Sequence, residues 1–161
     1  MPSIDLSTIA QALGSTRERF VYGLEKTTDE QLTQKAAETA KTPLEIAGQV
    51  AGFLGYFALM LKGEPLPDRS GPRPPAPETR EAAIAAADGA FRKVEQVLTE
   101  LTEEDLARPV PLPWGGTAPT SAMVMFAIGA PLYFQGQLNY AQLIYGDLDP
   151  HIPDSWKPKE A

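Results

Sequence analysis

Thr42-Pro43-Leu44-Glu45-Ile46-Ala47-Gly48-Gln49-Val50-Ala51-Gly52-Phe53, continuing through Leu54-Gly55-Tyr56-Phe57-Ala58-Leu59-Met60-Leu61-Lys62 to Gly63, is the stretch that decides the fold. Its start is a helix start: Thr42 serves as N-cap, Pro43 suits the first helical position, and Glu45 completes a capping box with Thr42. Its end is a helix end, with Gly63 as the stop and Pro65 and Pro67 beyond it. Between these signals the segment is apolar on almost every side. One face carries Ala47, Val50, Leu54, Phe57 and Leu61; a second carries Ile46, Gln49, Phe53, Tyr56 and Met60. A helix of this kind is buried in a core or at a subunit interface. The third side holds Gly48, Gly52 and Gly55, each costing about 1 kcal/mol of helix propensity against alanine. Close approach of another helix is the expected compensation.

Outward from this helix, three more long amphipathic segments follow from the same periodicity. Leu6 to Lys26 places Leu6, Ile9, Leu13, Phe20 and Leu24 on one face, with Arg17 among them. About Glu78 to Leu101 places Ile84, Ala87, Phe91, Val94, Leu98 and Leu101 on a stripe. The last runs from about Ala118 or Pro119 to Tyr145, stops at Gly146, and carries Pro131 in its middle, where a kink is expected. Short acidic turns beginning at Thr28 and Thr102 follow the first and third helices. Pro65, Pro67, Pro72, Pro74, Pro75 and Pro77 mark a long extended crossover between the second and third. No segment reads convincingly as a strand. The fold class is therefore all-α: a four-helix bundle over residues 1–147, with a proline-rich crossover between helices two and three and a C-terminal tail, 148–161.

Composition narrows function. The chain has a net charge of −7 and scattered basic residues, which argues against nucleic acid as a partner. With no cysteine, disulfides, thiolate metal sites and a cysteine nucleophile are excluded together. No basic region followed by an apolar run opens the sequence, so no secretory signal is read there and a cytoplasmic location is expected. The charge-free stretch from Pro109 to Gly146 has its most apolar part in Met123 to Phe134, short of the ~20 residues a membrane span needs. No membrane span is expected.

Two segments resemble a known family. The Thr42 to Phe53 stretch resembles the second-helix signature of the DinB/YfiT-like superfamily, and Gln135-Gly136-Gln137-Leu138-Asn139-Tyr140, continuing to Tyr145-Gly146-Asp147, resembles its last-helix signature. The acidic turns and the Pro113-Trp114-Gly115 loop also match. The resemblance implies a bundle that, in enzyme members, holds a divalent metal between three histidines, one from the second helix and two from the last. Some such members activate a low-molecular-weight thiol, since a metal lowers the thiol pKa. At the matching positions this sequence has Gln49, Ala130 and Phe134. Two of these lack a ligating atom, and an amide is a poor ligand for zinc or nickel. His151, the lone histidine, lies outside the motifs. Glu45, one turn before Gln49, finds no carboxylate partner on the charge-free last helix. The resemblance thus implies a lost metal site, with no metal or other cofactor, made drier by Pro131 and Phe134.

The remaining pocket candidates are Arg17, Phe53, Tyr56, Trp114, Tyr133 and Gln137. Each has a structural reading beside the functional one. Gln49 either bonds a ligand or is a buried amide bonded to Gln137, Tyr133 or water. Arg17 either clamps an anion or pairs with Glu45 or a carbonyl. The aromatics line a pocket or fill the core, and Trp114 is expected to fold back over the bundle end. Gln137 and Asn139 are read as buried amides tying helices together. The leading expectation is a metal-free, non-catalytic domain binding a small apolar molecule between helices two and four, and forming a homodimer. A thiol-dependent transferase and a protein-interaction module are the alternatives.

Overall fold

The computed structural model describes residues 5–68, 71, 74–112 and 115–158. Three of the four long helices begin where a side chain accepts from otherwise orphaned backbone N–H groups; the last begins after Pro119 without a side-chain cap. Asp5 accepts from Ser7 and Thr8 ahead of α1 (Leu6–Lys26), and Thr28 forms a capping box with Gln31 ahead of the short α2 (Asp29–Thr33). Helix α3 (Pro43–Lys62) starts on the expected reciprocal pair, with Glu45 N donating to Thr42 Oγ1 at 3.2 Å and Thr42 N donating to Glu45 Oε2 at 2.7 Å. It stops at Gly63, whose φ of 73° is the left-handed cap glycine allows. Thr79 caps α4 (Arg80–Glu100), and Thr102 with Asp105 caps α5 (Glu103–Ala107).

One expectation needs correcting here. A small antiparallel pair, β1 (Pro109–Pro111) and β2 (Thr117–Pro119), sets Val110 opposite Ala118. It leads into α6 (Thr120–Ile144), which continues unbroken through Pro131. Thr120 fixes the junction by donating to Arg108 O from both N, at 2.8 Å, and Oγ1, at 2.9 Å. Trp114 lies outside the described residues.

The four long helices pack as α1 on α4, α4 on α3, α3 on α6 and α6 on α1. Consecutive long helices α1 and α3 thus occupy opposite corners, which is why a connection containing α2 separates them. Leu13, Phe20 and Leu24 of α1, Val50, Leu54 and Leu61 of α3, Phe91, Val94 and Leu98 of α4, and Met123, Val124 and Leu138 of α6 form the centre, all at most 1% exposed. Full burial of each such side chain contributes about 1.5–3 kcal/mol. Phe20 and Phe91 meet at a centroid distance of 6.0 Å across α1 and α4. Among the described residues only α3 is long and apolar enough to cross a membrane, and half of that stretch is buried in the bundle.

Two arginines close helix ends. Arg80 Nη2 donates to Thr27 O at the end of α1, and Arg108 Nη2 to Leu61 O at the end of α3, each at 2.6 Å. A cation there complements the negative end of the helix dipole. Arg17 is paired, but not with Glu45, whose carboxylate is taken by its own cap. Instead it bridges α1 to α4, with Nη1 2.9 Å from Asp88 Oδ1 and Nε 2.8 Å from Glu95 Oε1. The tail is tied down: Trp156 Nε1 donates to Glu18 Oε2 at 2.9 Å, Ser155 donates to the same carboxylate, and Pro153 is buried.

The glycines of α3 do not do what their cost implied. A Cβ at Gly48 would lie 2.8 Å from Pro77 Cδ, so the close approach comes from the crossover and not from a helix. At Gly52 and Gly55 a Cβ would meet nothing within 4 Å. The tight helix contact is at Gly23, where Leu138 Cδ2 would be 3.2 Å from a Cβ.

Two predictions follow from this packing. Gly55→Ala should raise stability by about 0.5–1 kcal/mol through helix propensity, whereas Gly48→Ala should lower it, because the Pro77 ring cannot swing away; urea unfolding of both variants tests the contrast. Arg17→Met should cost about 1–2 kcal/mol at neutral pH, a partly exposed version of a broken buried pair. Burial pushes the Asp88 carboxyl up, but hydrogen bonds from Arg92 and Arg17 outweigh it and hold it below its ordinary value. A depressed carboxylate contributes stability above its unfolded pKa of about 3.9 that is lost as pH falls through the folded value. The difference between wild type and Arg17→Met should therefore shrink on acidification; a gap independent of pH would contradict the ion-pair account.

Candidate functional site

Gln49 lies on the second turn of α3, with Phe53 one turn further on. The residue is half-buried, yet its Oε1 is shielded from solvent and has no hydrogen-bond partner. Neither Gln137 nor Tyr133 supplies the expected bond. An acceptor left unpaired in this way costs about 1–3 kcal/mol. Further along α3 the side chains are aromatic. The Phe53 ring stacks on Phe57 at 4.3 Å and 26°, and meets Phe134 of α6 edge-on at 5.9 Å and 64°. Tyr56 is half-buried beside Phe57, their centroids 6.4 Å apart.

On α6 the three relevant side chains differ sharply in setting. Phe134 is 5% exposed and projects toward Phe53; Ala130, one turn earlier, is half-buried. Tyr133 is 64% exposed, with its ring edge-on to Phe134 at 5.5 Å, so it stands at the rim and not inside. Gln137 is half-buried, and the buried amides of α6 are Gln135 and Gln142. Gln142 Nε2 donates to Gly23 O at 3.0 Å and to Thr27 Oγ1 at 3.2 Å, and this is the amide that ties α6 to α1. Gln135 Nε2 donates to Asn139 Oδ1 at 2.8 Å, while its Oε1 is buried without a partner. The spacing contained the signal: Gln135 and Gln142 fall on the stripe of Ala127, Pro131, Phe134, Leu138 and Ala141, all of which are buried.

The donor set at this place is one amide oxygen, a methyl and a phenyl ring, which does not fit a transition metal. Glu45 is committed to its capping box. His151 is in the tail, where its Nε2 lies 2.7 Å from Asp147 Oδ2 and its own N donates to Asp149 Oδ1 at 2.8 Å. Among the described residues no three His, Cys, Asp or Glu side chains gather in a way that holds a metal ion. Arg17 is remote from the site, locked between Asp88 and Glu95. It lines a shallow hollow of about 320 Å³ with Tyr22 and the tail, and a second hollow of about 510 Å³ lies between α1 and α4 near Gln11 and Gln96; neither includes Gln49 or Phe134.

Solved structures share this architecture. A DinB-like protein of Bacillus subtilis, YjoA, matches with a TM-score of 0.67 at 19% identity, over 88% of this chain and 94% of that one. A conserved protein of Enterococcus faecalis matches with a TM-score of 0.72 at 16% identity, over 86% and 96% of the two chains. YfiT of Bacillus subtilis, described as a probable metal-dependent hydrolase with an unusual four-helix bundle topology, matches with a TM-score of 0.67 at 14% identity, over 91% and 92%. At these identities the likeness is one of fold. No curated protein matches the sequence significantly. The family itself is shown by the sequence, because the pattern of the DinB superfamily matches residues 12–130, and the chain belongs to that superfamily.

Proposed function

We propose that this DinB domain works without a metal and binds a small, mostly apolar molecule between α3 and α6, carrying one N–H or O–H group for Gln49. The observation that carries this reading is the Gln49 carbonyl oxygen, shielded from solvent without a partner one turn before Phe53, whose ring meets Phe134 of α6 edge-on. An apolar wall with one convergent polar atom is the composition of a small-molecule site. Catalysis has little support in the same place: among the described residues no metal-holding group of His, Cys, Asp or Glu gathers, and the Glu45 carboxylate, one turn before Gln49, is committed to its capping box. The chain thereby differs from what is described for YfiT, although the two share a fold.

Two measurements test this. The purified protein should carry no stoichiometric zinc or nickel by elemental analysis, and titration with either should show no binding. The triple variant Gln49→His, Ala130→His, Phe134→His should gain zinc binding, since it restores three imidazoles at the positions the family motif indicates. Zinc bound by the wild type, or a triple variant that folds and still binds none, would show that these positions do not correspond to the metal site.

Gln49→Leu separates a ligand-binding amide from a structural one. Replacing an unpaired buried acceptor with an apolar side chain should stabilise the free protein by about 1 kcal/mol, as positions held for function commonly allow. The same variant should lose binding of amide- or hydroxyl-bearing aromatic fragments detected by ligand-observed NMR. A destabilised Gln49→Leu would show that the amide holds the fold together and would remove the main support for the site.

A further inference from the structure

Past Pro153 the chain has no hydrophobic anchor. Pro153 is buried, but residues 154–158 are all exposed, Trp156 among them at 42%. Burial of apolar surface therefore does little to hold this segment, and its position rests on polar contacts. Those contacts converge on one side chain of α1. Trp156 Nε1 donates to Glu18 Oε2 at 2.9 Å, and Ser155 Oγ donates to Glu18 Oε1. Each oxygen of a single carboxylate thus takes one bond from the tail.

The segment is also tied to itself. Asp154–Trp156 is one 3₁₀ turn, with Trp156 N donating to Pro153 O at 2.9 Å and Lys157 N to Asp154 O at 3.2 Å. Lys157 Nζ lies 2.6 Å from Asp154 Oδ1. These bonds lie within the segment and persist if it leaves α1. Just upstream, His151 has a φ of 47°, which few residues other than glycine adopt, and its Nε2 lies 2.7 Å from Asp147 Oδ2. The chain therefore bends sharply at a pinned point before the segment begins. Pro153, Asp154 and Ser155 form one wall of the hollow of about 320 Å³ that Arg17, Tyr22 and Asp88 line from α1 and α4.

We propose that residues 154–158 are a flap over this α1–α4 hollow, clasped shut by the ionised Glu18 carboxylate and released when that carboxylate is protonated. An ionised carboxylate only accepts, and its charge-assisted bonds are roughly twice as strong as neutral ones. Protonation places a donor on one oxygen, where an indole N–H, itself only a donor, has nothing to gain. The titration of Glu18 runs in the matching direction. Hydrogen bonds from Ser155 and Trp156, with Arg17 nearby, hold its carboxyl below the ordinary value against the effect of burial. A depressed carboxyl contributes docking free energy above its free value of about 4.3, and that contribution is lost as pH falls through the docked value.

Other charged groups surround the hollow. On its bundle side Arg17 and Asp88 pair with each other, and Glu25 lines the same wall as Glu18. On the flap Asp154 pairs with Lys157, with Lys26 and Tyr22 of α1 nearby. Asp154 also loses its charge in acid, so the test must separate its share from that of Glu18.

The chain has two tryptophans, so a nitrogen-15 spectrum contains two indole N–H signals, and the one missing in Trp156→Phe belongs to Trp156. Glu18→Gln at neutral pH should move that signal to the position of a solvent-exposed indole. Circular dichroism should not change, since Glu18 is not part of the buried core. In the wild type the same shift should appear on acidification through the carboxylate range, reverse on neutralisation, and precede any loss of helix. Glu18→Gln should show no further shift over that range. A Trp156 signal that stays at the wild-type position in Glu18→Gln would overturn the proposal, as would a wild-type flap that leaves α1 only when the helices unfold. An acid-induced shift that persists in Glu18→Gln would overturn it too, by placing control at Asp154 or His151.

Discussion

Helix α3 carries no charged side chain between Glu45 and Lys62, and the rest of the structure is arranged to surround it. Helices α4 and α6 take two of its sides, and α1 completes the core from the opposite corner. The proline-rich crossover lies against a third side at Gly48, where the absent Cβ gives Pro77 room. The ends are held as firmly as the middle, by the Thr42–Glu45 box at one and by Gly63 and Arg108 at the other. Burial supplies the energy of such a helix, while the caps determine where it starts and stops. With α3 fixed in the middle, the chain has little choice but to pass α4 and α6 along its flanks.

Much of this was legible in the sequence, and what was legible has a common character. Local signals placed α3 to the residue, because the Thr42 cap and the Gly63 stop need no knowledge of the rest of the chain, and apolar periodicity bounded α1 near Leu6 and Lys26. The β1–β2 pair was missed for a physical reason: prolines at 109, 111 and 119 argue against strands, and three-residue strands pair only once the loop between them has closed. Arg17 was read correctly as paired but given the wrong partner. Asp88 and Glu95, seven apart and so on one face of α4, were the available acids, but only the packing of α1 against α4 brings them within reach. Arg80 and Arg108 belong to the same class, since a carbonyl at the end of another helix leaves no trace in residue spacing.

Helix α6 shows how an unbroken apolar composition hides its own phase. Without charged residues to mark a solvent side, the amides of the family-like motif looked equivalent, and Gln137 and Asn139 were taken as the ties. The structure buries Gln135 and Gln142, two turns apart, and leaves an equally apolar face outward. A helix that is amphipathic announces which side faces water; one that is apolar on both sides needs its neighbours to be known first. The Gln49 region is legible in the same partial way. The second-helix and last-helix motifs name the positions, and contact between Phe53 and Phe134 brings those segments to one place. That Gln49 finds no partner there depends on side-chain geometry that no spacing reports.

On the proposed metal-free reading, the difference between three imidazoles and this set of side chains is a difference in what holds α3 to α6. A metal bound by both helices would contribute cross-linking free energy and demand fixed ligand geometry. In this chain the Phe53, Phe57 and Phe134 rings join the helices by burial and by edge-to-face contact, worth about 0.5–1.5 kcal/mol per aromatic pair beyond the area buried. Ring packing of this kind needs no polar group, so Gln49 is the residue that the replacement leaves unexplained. A leucine there would keep the helix, fill comparable space and remove an unpaired oxygen. Arg19 Nε, Arg80 Nε and Gln135 Oε1 are also buried without a partner, but each of the arginines and Gln135 belongs to a group with other donors, whereas the Gln49 oxygen stands next to the α3–α6 ring contact; an unbonded polar atom is kept at a cost, and such exceptions concentrate where a partner comes from outside the fold.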